Sequence, residues 1–111
     1  MTLFRLFLVA AWLGLMGYTA VVIQNHGPDL LTVFFGDIAA IGWPGQFNFD
    51  FTILLALSAL WVAWRNQFSA SGLLLALLAQ FGGSAFLLLY LLVLSVQTRG
   101  DVRAMLVGDR R

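Results

Sequence analysis

The chain has 111 residues, of which 61% are hydrophobic and only 10% charged. Soluble domains carry about 25% charged residues, so this chain cannot cover a water-facing surface, and its wealth of aromatic and branched apolar side chains excludes disorder. The charges are Arg and Asp alone, with a net of +1, which gives no clustered basic face for nucleic acid; the absence of Cys excludes disulfides, thiolate metal sites and cysteine nucleophiles.

An apolar run of about 18 residues with few charges reads as a transmembrane helix. The first such run is Leu6–Ile23, between Arg5 and the polar stretch Gln24–Asp29. A positive residue before an apolar core also describes a signal peptide, but Tyr18-Thr19-Ala20 is a poor cleavage site, so a true first span over 6–23 is expected. The connection 24–46 contains the apolar stretches Leu30–Phe35 and Ile38–Ile41 around Asp37. It is too short and too polar to cross, so an interfacial or re-entrant segment is expected at about 30–41, with Asp29 as its helix cap. Trp43-Pro44-Gly45 reads as a turn with an interfacial aromatic.

The second run covers 47–64 and ends on Arg65-Asn66, with Trp61 and Trp64 in the position of an aromatic belt. The third, 72–96, is long enough to need tilt or a slight kink, for which Gly82-Gly83 is the obvious place. The expected architecture is thus an all-α, integral membrane bundle of three transmembrane helices in a single domain, followed by a tail at 97–111. Three crossings put the amino terminus and Arg65 on one side, and the 24–46 connection and the tail on the other. The Arg distribution then leans only slightly toward a cytoplasmic amino terminus.

Small residues recur in each run with a 4-3 step: Ala10, Gly14 and Gly17; Thr52, Ala56, Ala59 and Ala63; Gly72, Ala76, Ala79 and Gly83. That step keeps them on one helix face, where they permit the close approach by which membrane helices associate. Polar groups inside the spans are few and include Ser58 in the second and Gln80 and Ser84, one turn apart, in the third, with Tyr18 and Thr19 ending the first. Gln80 is expected to form an interhelical hydrogen bond, a ligand contact being the alternative. Asp50, in Phe47-Asn48-Phe49-Asp50-Phe51, is the one catalytic candidate, because a membrane-level carboxyl is a functional residue by default. Its structural alternatives are a helix cap, shared with Asn48, or an ion pair with Arg99. His26 is the only His and cannot hold a metal alone, so neither metal nor other cofactor is expected.

Through Phe47-Asn48 and Asp50, and through Phe86-Leu87-Leu88-Leu89-Tyr90-Leu91, the chain resembles a bacterial family of small three-span membrane proteins known only as a domain of unknown function. Members carry a Pro in the third span, where this chain has none. The resemblance implies a multi-pass protein of the bacterial inner (plasma) membrane and supplies no catalytic residues. Three roles are compatible with these features. The first is a non-enzymatic structural or accessory subunit packing against itself as a homo-oligomer, against a larger membrane complex or against lipid. The second is a small enzyme on an isoprenoid or lipid substrate with Asp50 as general acid, and the third is a channel or transporter subunit.

Overall fold

A computed structural model describes residues 1–108. The described chain is an all-α bundle of five helices: α1 (Thr2–His26), α2 (Leu30–Ala40), α3 (Trp43–Arg65), α4 (Ala70–Gln97) and α5 (Val102–Val107). Of these, α1, α3 and α4 are long and apolar enough to cross a membrane. Arg110 and Arg111, which the sequence places in the tail, lie outside the described residues.

Local chemistry sets the helix starts. Asp29 accepts from the Thr32 amide at the start of α2, as its position before Leu30 suggests. Ser69 accepts from the Gly72 amide at the start of α4, and the Asp101 carboxylate accepts from the amides of Arg103 and Ala104 in α5. Trp43-Pro44-Gly45 is not a turn but the first turn of α3. Proline has no amide hydrogen to lose at that position, and extended Gly42 supplies the cap. The helix therefore starts well before Asn48 and Asp50, and neither caps it.

The third apolar run departs furthest from expectation. A straight helix would hold Gly72 and Tyr90 about 27 Å apart. Both instead meet Asn66: a Cβ at Gly72 would lie 2.6 Å from Asn66 Cβ, and Asn66 donates through Nδ2 to the Tyr90 hydroxyl at 2.9 Å. The break is at Gly83, whose φ of 55° and ψ of −140° are not helical and are rarely adopted by L side chains. Gly82 assists, because a Cβ there would lie 2.7 Å from Phe86 Cβ. What reads as a slight kink is a reversal: α4 is a hairpin of two arms, 70–82 descending along α3 and 84–97 returning.

The tail returns with it. Arg65 donates to the carbonyls of Ala104 and Met105, and Met1 packs against Gly100. The tail thus lies beside Arg65 and the amino terminus, not at the opposite end as three straight crossings require. The returning arm also receives α1 in antiparallel sense, since Arg5 meets Ser95 and Trp12 donates to the Ala85 carbonyl at 3.1 Å. At the other end α2 packs back on the start of α3, where Asn48 donates to the Phe34 carbonyl at 3.2 Å. Five of the six buried apolar side chains (Leu8, Val62, Ala63, Leu94 and Met105) gather at the arginine end, with Ala79 farther down α4.

Candidate functional site

Asp50 projects from α3 two turns beyond Trp43 and lines an open groove of about 760 Å³ between α2 and α3. Its companions are Gln46, Trp43, Phe49 and apolar residues that include Ile38 and Ile53. The carboxyl is exposed and forms neither a hydrogen bond nor an ion pair. Arg99 follows α4 at the far end, beside Gly100 and Met1, so the candidate pair Asp50–Arg99 is not brought together. The groove thus offers one carboxyl, one amide and an apolar wall. Among the described residues, no three His, Cys, Asp or Glu side chains converge as a metal site would require.

The small residues separate into two groups. On α3, Ala63 is buried, Ala59 half-buried and Ala56 exposed. On α4, Ala79 is buried, and Ala76 and Gly83 are half-buried. Gly83 receives the Phe51 ring and Leu55, which would sit 3.2 Å and 3.6 Å from a Cβ there. These positions lie along the principal helix contact of the molecule, α3 against α4. On α1, by contrast, Ala10, Gly14 and Gly17 are exposed, and a Cβ at Gly14 or Gly17 would meet nothing within 4 Å.

Ser58 and Gln80 are half-buried and Ser84 exposed, and none of the three forms a side-chain hydrogen bond. The interhelical bond expected of Gln80 is therefore absent. Apart from the Trp12 bond to the Ala85 carbonyl, the side-chain donors that join elements sit at or near the run ends. Arg5 donates through Nε to Ser95 Oγ at 3.0 Å and through Nη2 to the Ser95 carbonyl at 2.8 Å. Arg65 donates through Nε to the Met105 carbonyl at 2.5 Å and through Nη2 to the Ala104 carbonyl at 3.1 Å. Each guanidinium thus serves carbonyls in the last turns of a helix, where unpaired acceptors and the negative end of the helix dipole favour a cation. Trp61 Nε1 adds a bond to the Leu106 carbonyl at 2.9 Å, and its ring meets Tyr90 edge-on.

The sequence carries one signal for these contacts, namely that Arg5, Arg65 and Asn66 are the polar residues closest to the ends of long apolar runs. It does not tell which carbonyls they reach, because those depend on the reversal at Gly83. Comparison of the chain with family models, with curated proteins and with solved structures yields no match.

Proposed function

We propose that this chain is a small, non-enzymatic accessory subunit that docks onto a second membrane helix through the face of α1 bearing Ala10, Gly14 and Gly17. The observation that carries the reading is the unfilled space at Gly14 and Gly17 on a helix 25 residues long. Within this chain α1 packs against α4 alone to any extent, and from Gly17 to His26 every residue is exposed. In hydrocarbon, exposed apolar surface gives no drive to associate, but a face without side chains lets another backbone approach closely and gain dispersion contact. The likeness of Phe47–Phe51 and Phe86–Leu91 to a bacterial family supports placing the protein in a bacterial inner membrane.

Replacing Gly14 and Gly17 with Leu tests the docking face directly. A Cβ at either position meets no atom of the chain within 4 Å and both positions are exposed, so the variant is expected to keep the melting temperature of the wild type in detergent. It loses the partner, or the second copy, that co-purifies in mild detergent. Retention of the complex by the double variant refutes the reading.

The groove at Asp50 supports a second reading, a small enzyme on an isoprenoid or lipid substrate with Asp50 as general acid and Gln46 beside it. Asp50→Asn distinguishes the two. An accessory subunit keeps its complex, whereas an enzyme loses activity with its fold intact.

A further inference from the structure

The reversal at Gly83 decides where the charges stand. Ser95 is held by Arg5, Gly100 lies against Met1, and Ala104 and Met105 are held by Arg65. These contacts collect Arg5, Arg65, Arg99, Arg103 and the amino terminus at one end of the molecule, with Asp101 the only acid there among the described residues. The remaining described carboxylates, Asp29, Asp37 and Asp50, belong to the α2 end, where His26 is the only basic side chain. The tail on its own is weakly basic. Joined by Arg5, Arg65 and the terminal amine, it reaches the charge density at which basic clusters bind anionic lipid.

Depth agrees with charge. Each arm of α4 is about 20 Å long, short of the roughly 30 Å hydrocarbon thickness. Its turn meets α3 at Phe51 and Leu55, inside that helix rather than at its start. Non-helical backbone at membrane depth persists where protein covers it; Gly83 is half-buried against those two side chains, while Gly82 and Ser84 beside it are exposed. Arg5 and Arg65 are engaged with carbonyls, whereas Arg99 and Arg103 are exposed and form no side-chain hydrogen bond. The latter two are free to meet phosphate.

We propose that the end bearing Met1, Arg5, Arg65, Arg99 and Arg103 is a docking surface for the anionic phospholipid headgroups of one leaflet, assembled because α4 enters and leaves the bilayer from that side. The chain then crosses twice, through α1 and α3, and only α2 with its flanks reaches the far side. The positive-inside rule assigns the arginine end to the side of synthesis. This inference does not rest on the docking role of α1.

Because the chain has no Cys, single cysteines report without background. Gln67→Cys, Gln97→Cys and Asn25→Cys are placed in proteoliposomes of phosphatidylcholine, with or without phosphatidylglycerol, and treated with a membrane-impermeant maleimide. The fractions labelled at 67 and 97 are expected to agree and to complement the fraction at 25. Agreement of 97 with 25 means that α4 crosses, and overturns the proposal. Phosphatidylglycerol is expected to raise the unfolding temperature, and Arg99→Gln with Arg103→Gln to remove at least half of that rise, since these are the two arginines free to meet headgroup phosphate. An undiminished rise in the double variant, or the same rise from inorganic phosphate over phosphatidylcholine alone, refutes headgroup docking.

Discussion

A methyl group at position 45 would lie 2.2 Å from the backbone oxygen of Asp37 and 2.9 Å from Ile38 Cα. Backbone cannot yield as a flexible side chain does, so Gly45 lets α2 lie directly on the first turns of α3. Gly45→Ala is expected to cost about 1–3 kcal/mol, the usual range for overpacking, and to release α2 before the rest of the molecule. Limited proteolysis in the 27–42 segment checks it. Gly14→Ala is the opposite case, since the added methyl meets open space and the helix gains in propensity. The isolated protein should melt at the same or a higher temperature, by up to about 1 kcal/mol of added stability. A 4-3 spacing thus marks Gly14 and Ala79 alike, although only the latter is buried. The pattern shows which residues share a face and is silent on whether a neighbour covers it.

The α4 hairpin exposes the corresponding limit for elements. Helical class and three long apolar helices follow from hydropathy alone, because uninterrupted apolar length depends only on composition along the chain. A reversal depends on one residue. Gly82-Gly83 permits a kink or a fold-back equally; the Asn66–Tyr90 bond away from the turn and the Phe51 ring against Gly83 select the second. Gly83→Ala places a Cβ where φ is 55° and the Phe51 ring is 3.2 Å away. It should destabilise by about 1–3 kcal/mol and loosen the turn. Tyr90→Phe removes the acceptor for one Asn66 N–H and should cost about 1 kcal/mol. Thermal unfolding of both variants in one detergent ranks them, with Gly83→Ala the lower or equal.

Across the whole molecule, 45 Å in its longest dimension, packing is uneven. Most buried side chains lie at the arginine end, while α2 and the last turns of α1 are almost entirely exposed. No local pattern foretells this, because it follows from pairing the returning arm of α4 with α1 and α5. Three straight spans would put Asp50, Arg99 and the tail at one end; the return of α4 places Arg99 and the tail beside Arg65 instead. Orientation should accordingly depend on the contrast between the two ends. Replacing Ala39 and Ala40, both exposed on α2, with Arg should produce a mixed population without disturbing the buried contacts. Protease protection of the two ends in inverted vesicles measures the mixture.

A resting membrane is also an electric field, and a chain with its four described arginines at one end and three of its four described carboxylates at the other is a dipole within it. Each elementary charge carried through 100 mV changes the free energy by about 2.3 kcal/mol. In the orientation proposed above, moving Asp29, Asp37 and Asp50 outward while the arginines stay inside runs with an inside-negative potential for every one of those charges. Voltage therefore does work during insertion, beyond the contribution of apolar length. Dissipating the potential with an ionophore while the protein is being made should increase the fraction carrying Asn25→Cys on the inner face, and restoring the potential should recover the single orientation.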